Sequence, residues 1–170
     1  MRKLFCLILP MFFLFAGCQK EADTSVDPLG PEAWIALKVG DVTLEAQIVL
    51  TQAEQRKGLM YRDSLGENRG MLFPYDSPRQ LAFWMANTRI PLDIGFFDET
   101  GLLCEVHRMV PFDTTRTVSR GKDLQYALEM NSGWFARNGL FPGVRMDMEL
   151  LAEALRSRGK EPAEPGITRQ

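Results

Sequence analysis

Residues 82–101 read AFWMANTRIPLDIGFFDETG, and this stretch decides the fold. Phe83-Trp84-Met85 is an aromatic, strand-like run that breaks at Asn87-Thr88 and again at Ile90-Pro91. Leu92, Ile94, Phe96 and Phe97 then resume an apolar run with Asp93 set inside it. Asp98-Glu99-Thr100-Gly101 closes the run with a tight-turn sequence. Apolar neighbours on both sides of Asp93 predict a strand through the core. A carboxylate there must be paired, hydrogen-bonded or at a strand end.

Working outward, strands are expected at about 81–86 and 92–97, and the Asp98–Gly101 turn leads into a further strand over 102–110. In that strand Cys104 and Val106 face one way, and Glu105 and His107 the other. Cys104 reads as a small buried hydrophobe, and His107 as ordinary surface. Upstream, Leu37 and Val39 meet the hairpin signal Gly40-Asp41. Val42, Leu44, Ala46 and Ile48 then alternate with polar residues, as a half-buried strand does. Thr51-Gln52-Ala53-Glu54 is a capping box, so a short helix is expected over 52–57 with Gly58 as its stop. Residues 63–70 are loop. Met71-Leu72-Phe73 is a short buried strand closed by Pro74.

Downstream, a weak strand falls near 115–118 and a clean alternation over 124–130. Ser132 is placed to cap a short helix through Arg137, stopped by Gly139. Val144, Met146, Met148 and Leu150 alternate as a last strand, followed by a helical turn or two over 151–158 and a polar, disordered tail. No internal repeat is found. About eight short strands and two short helices, without long helices between the strands, exclude a doubly wound parallel sheet. The expected class is mainly β: a compact antiparallel β-sandwich or partly closed barrel with two short helices at an end.

The chain has 170 residues, one domain's worth, with 45% hydrophobic and 25% charged residues. A net charge of −2 carries no basic footprint for nucleic acid, and one histidine with three cysteines is too few for the usual zinc cluster. No cofactor is expected. The first 17 residues stand apart. A positive head, Arg2-Lys3, precedes an apolar run of about a dozen residues, a signal-peptide core length. Ala16-Gly17-Cys18 follows and resembles the bacterial lipobox, which makes Cys18 the expected lipidated first residue. Phe15 stands where that pattern prefers leucine. Gln19 after the cysteine points to the outer membrane. Residues 18–32 read as a flexible tether, 33–150 as the β-domain, and 151–170 as helical turn and tail. The expected location is the bacterial envelope, lipid-anchored and facing the periplasm. With Cys6 removed and Cys18 lipidated, Cys104 stands alone and no internal disulfide can form.

One family resemblance rests on Arg56 with Gly58-Leu59-Met60, Arg62, Gly70-Met71-Leu72-Phe73, Phe83-Trp84-Met85, Asn87-Thr88, Ile90-Pro91-Leu92-Asp93-Ile94, Asp98, Gly101, Ser119 and Leu128-Glu129. Over roughly residues 37–148 the chain resembles the domain of unknown function 192 family. The resemblance implies a compact β-sandwich-like domain and carries no catalytic assignment. Ala86 stands where that family often has lysine, and Val144 where it often has aspartate.

Asn87, Thr88 and Asp93 are the leading site candidates, offering amide, hydroxyl and carboxylate near a strand break, with Trp84 able to stack on a flat group. Arg56 and Arg62 would clamp an anion, or one would pair with Asp93 or Glu129 and lock helix to sheet. The structural alternative makes Asn87-Thr88 a turn, Asp93 a loop anchor and Trp84 core. No nucleophile elbow and no metal-ligand spacing is present. The expected function is a non-catalytic module binding a small polar ligand or an envelope partner. The alternatives are an enzyme on carbohydrate or peptidoglycan fragments, with Asp93 and Glu129 as acid and base, and a structural or assembly lipoprotein.

Overall fold

Gly40 has φ +56°, a conformation a side chain would strain, and the chain reverses there. The reversal joins β1 (Ile35–Val39) to β2 (Val42–Ile48) as an antiparallel hairpin with Val39 opposite Val42. The computed structural model describes residues 28–162. The expected signal peptide, Cys18 and most of the tether, together with residues 163–170, lie outside them.

α1 (Gln52–Lys57) starts on the expected capping box: Thr51 Oγ1 accepts from the Glu54 amide at 3.2 Å, and the Glu54 carboxylate from the Thr51 amide at 3.0 Å. β3 (Arg69–Arg79), β4 (Ala82–Phe83), β5 (Leu92–Phe97), β6 (Leu103–Met109), β7 (Thr117–Val118) and β8 (Leu124–Asn131) follow, then α2 (Trp134–Arg137) and α3 (Met148–Ser157). The fold is mainly β. Six strands form one sheet in the order β1-β2-β3-β8-β5-β6, while β4 and β7 pair as a separate ribbon. All neighbours are antiparallel except β2 and β3, which run parallel through the α1 crossover. The sheet does not close into a barrel. Its edges instead approach one segment: the Leu103 amide donates to Val144 O and the Gly40 amide to Arg145 O.

Each face of the sheet carries its own core. On one, Leu44, Ile48, Leu72, Phe97, Leu128 and Met130 pack with Trp134 and Phe135 of α2 and Leu151 and Leu155 of α3. On the other, Met71, Phe73, Leu92, Ile94, Phe96 and Ala127 pack with Leu59, Leu81, Met85 and Ile90. Neighbours on one strand alternate between the two, as the pleat requires. Gly95 lets α2 come close, since a Cβ there would lie 2.6 Å from the Phe135 ring.

Several expectations change. The strand expected over 144–150 is absent as such. Val39 and Met146 form one isolated bridge and Leu102 and Arg145 another. Asp147 then accepts from the Glu149 and Leu150 amides and starts α3, the third short helix. β3 runs past Pro74 to Arg79, because the missing amide is absorbed as a register irregularity between those residues. The 81–86 strand shrinks to two residues, leaving Trp84 outside the ribbon. Cys104 is exposed, because the register shifts there: Phe96 faces Glu105 and Phe97 faces Leu103, so Cys104 is the unpaired bulge residue. His107 is half-buried, 2.6 Å from Glu105 and edge-on to Phe96. Ser132 does not cap α2. Gly133 does, at φ +79°, without a side-chain bond.

Candidate functional site

Glu129 lies on β8, opposite Met71 of β3 and Ile94 of β5. The pleat therefore turns its side chain to the face of Met71 and Ile94. It is only 5% exposed. Above it, α1, the Gly58–Met60 corner and the β4–β7 ribbon leave a cleft of about 400 Å³ with Glu129 among its lining residues. That volume lies in the range of small-ligand sites.

The walls are aromatic: Phe73, Tyr75, Phe83 and Trp84. Phe73 and Phe83 meet edge to face at 5.0 Å, and Phe83 lies 5.9 Å from Phe96 beneath. Trp84 is 46% exposed, so it offers a ring to solvent and to anything entering. Gln52, Gln55, Arg56, Lys57 and Arg116 supply the polar lining. The Arg56 Nε donates to Gln52 O at 3.2 Å, and Lys57 lies 3.5 Å from a Glu32 carboxylate oxygen. Among the described residues no carboxylate comes within ion-pair distance of Arg56 or Arg116.

Burial pushes the Glu129 carboxyl up to about 8. At pH 7 the group is therefore mostly a neutral acid, able to donate one hydrogen bond and to accept others. Tyr75 is also raised, chiefly by burial, although Arg79 beside its ring pulls the other way.

The loop beside the cleft is held under backbone strain. Among the described residues, the non-glycine positions with left-handed φ are Tyr61 (64°), Asn87 (58°) and Phe112 (63°). They are tied together: the Tyr61 amide donates to Asn87 O at 2.8 Å, and the Phe112 amide to Thr88 O at 3.1 Å. Asparagine tolerates this conformation; tyrosine and phenylalanine do so at a cost, and such positions cluster at sites.

The sequence candidates separate accordingly. Trp84, Thr88, Arg56 and Glu129 share the cleft. Thr88 is buried, and its hydroxyl donates to Ala86 O at 3.4 Å. Asn87, by contrast, is an exposed corner whose amide nitrogen lies 4.0 Å from Met60 Sδ. Arg62 donates to Gln47 Oε1 at 2.5 Å, with its guanidinium 5.8 Å over Trp34. Asp93 belongs to the opposite face of the sheet. Its carboxylate accepts from the Gly133 amide at 2.7 Å and from Ser132 Oγ at 3.2 Å. It therefore pairs with the start of α2 and not with Arg56 or Arg62. The Asp93–Glu129 acid–base pair is overturned too, because Ile94 faces Glu129 and its neighbour Asp93 must point away.

The expected arginine lock exists at another residue. Arg158 is buried, lies 3.2 Å from Glu54 Oε1, and donates to Ile48 O at 3.0 Å and to Leu29 O. Burial works against the Glu54 charge, but the Thr51 and Leu50 amides and Arg158 hold its carboxyl below the ordinary value. Lys57, Arg116, Tyr75 and Phe73 were missed as cleft residues. Only the topology brings them together; in sequence, Arg116 is one cation in a weak strand. No group of three or more metal-ligating side chains is found among the described residues.

Fold and cleft together define a mainly-β domain with a ligand-sized hollow between one sheet face and its covering elements. The chain belongs to the DUF192 family ("Uncharacterized ACR"), whose model matches residues 35–148. No curated protein matches it. Two of the solved structures that match show the extent of the likeness. A Sinorhizobium meliloti protein described as a "putative transcription regulator" shares 30% identity at a TM-score of 0.63, over 69% of this chain and 97% of its own. A Novosphingobium aromaticivorans protein of unknown function shares 32% identity at a TM-score of 0.64, over 77% of this chain and 99% of its own.

Proposed function

We propose that the domain is a non-catalytic module that binds a small polar ligand in the cleft above Glu129, held at the bacterial envelope by lipid on Cys18. The observation that supports the binding reading is the Glu129 carboxyl: buried, raised to about 8, and facing open space instead of a partner. A group so placed is costly to the free fold and gains a partner only when something enters. A regulator role like that suggested for the Sinorhizobium protein gains no support from a net charge of −2. The anchor reading rests on Ala16-Gly17-Cys18.

The test is a thermal-shift screen of the purified protein against sugars, muropeptides and organic acids. A ligand at about 100 times its Kd stabilises the folded state by ~2.7 kcal/mol. The expected hit raises Tm in the wild type and loses its effect in Trp84→Ala. Hits indifferent to both Trp84→Ala and Glu129→Gln would sink the cleft reading. For the anchor, Cys18→Ser is expected to abolish palmitate labelling and release the protein from the membrane fraction.

A further inference from the structure

The chemistry of the cleft is ordered from outside to inside, and the order constrains what fits. Arg56 and Arg116 line it with no described carboxylate in ion-pair reach, so charge there is uncompensated. Four aromatic side chains form the walls, with Trp84 half open to solvent. At the buried end stands the Glu129 carboxyl, with no cation paired to it among the described residues. An anionic group pushed to that end would meet Glu129 without a counter-charge. The same group placed at the outer end would meet the arginines. A flat body between them would lie against the rings.

We propose that the cleft takes a small aromatic carboxylate, its charged end on Arg56 and Arg116, its ring against Trp84 and Phe83, and an uncharged hydrogen-bond acceptor on Glu129. This rests on the binding reading above and deepens it by naming the ligand class. Because the Glu129 carboxyl titrates at about 8, it donates to the acceptor below that pH and turns into a second anion above it. The other charged or titratable groups lining this space are Tyr75 from β3, Arg56 and Lys57 from α1, and Arg116 beside β7. Tyr75 is raised from its ordinary value, so it stays neutral through that interval.

The probes are 4-acetylbenzoate, which carries a carboxylate and a ketone at opposite ends, and acetophenone, which lacks the carboxylate. Calorimetric titration of the purified protein at about pH 6.5 is expected to show the acid bound roughly tenfold tighter or better. The advantage should vanish in the double variant Arg56→Gln, Arg116→Gln. Raising the pH to about 9.5 should weaken the acid by roughly fivefold or more in the wild type and leave it unchanged in Glu129→Gln. Circular dichroism of each variant checks that it is folded. Equal affinities for the two probes, or an affinity for the acid that rises with pH, overturn the anion assignment and leave the cleft a binding site. Failure of both probes to bind overturns this inference alone, since the thermal-shift screen still speaks to the cleft. Binding that survives both Trp84→Ala and Glu129→Gln lies elsewhere and overturns the two readings together.

Discussion

Asp93 and Glu129 sit one step out of register on adjacent central strands, and their carboxyl groups meet opposite conditions. Asp93 looks toward α2, where an amide and a hydroxyl receive it. Glu129 looks toward α1 and the ribbon, where burial works against its charge without a donor to offset the cost. The same sheet thus treats two carboxyl groups differently. The Asp93 carboxylate is matched by donors, as packing for stability requires. The Glu129 carboxyl lacks such donors among the described residues, a cost that the rest of the fold offsets. A one-residue shift in register would exchange the two environments.

The largest effect that would test this contrast concerns Glu129 and pH. Its folded value of about 8 stands above the ordinary 4.5, so the folded chain keeps a proton that the unfolded chain releases. Its contribution to stability is whole below pH 4.5, erodes as pH rises, and is fully lost above about 8. By pH 7 the loss is of order 3 kcal/mol. Glu129→Gln is therefore expected to be the more stable protein at pH 7 to 8, with a flatter profile across this range, read by urea denaturation at each pH. A variant weaker than wild type at pH 8 would mean that the carboxylate has a partner after all.

Asp93→Ala should act in the other direction and by less. It strands the Gly133 amide and the Ser132 hydroxyl, a cost of ~1–3 kcal/mol. The same denaturation series measures it, and a neutral result would deny that these two donors depend on Asp93. The smallest stability effect belongs to Trp84→Ala. A half-exposed ring outside the ribbon should leave stability within about 0.5 kcal/mol while binding in the cleft is lost. Strong destabilisation would make Trp84 part of the core and remove it from the site.

Much of this contrast was readable beforehand, and the unreadable parts have physical causes. The hairpin at Gly40-Asp41 and the capping box at Thr51 are local, each fixed by residues within four positions. The strand at Leu92–Phe97 declared itself by its unbroken apolar run. The end of the chain misled because Met146 and Met148 mimic a two-residue period. Meanwhile Asp147 as a cap and the spacing of Leu151, Ala154 and Leu155 signal a helix. Asp93 was rightly read as needing partners. Which partners depended on the face it would show, and that is set by pairing with β8, some 37 residues downstream. Trp84, Thr88, Arg56 and Glu129 stand out one by one as candidates, but their meeting in one cleft is a product of topology, as is the arrival of Arg116.

Arg158 binds Leu29 O, and the Leu29 amide returns a bond to Ser157 O at 2.7 Å. The segments at Leu29 and at the end of α3 therefore lie side by side, beyond the limits of the family match at 35 and 148. The folding unit is wider than the family segment. A chain cut at residue 148 would uncover the side of the sheet that α3 protects. A chain joined directly between Leu29 and Arg158 and reopened at the exposed Gly40-Asp41 turn would keep α3, Arg158 and the cleft, a circular permutation that this architecture is built to survive.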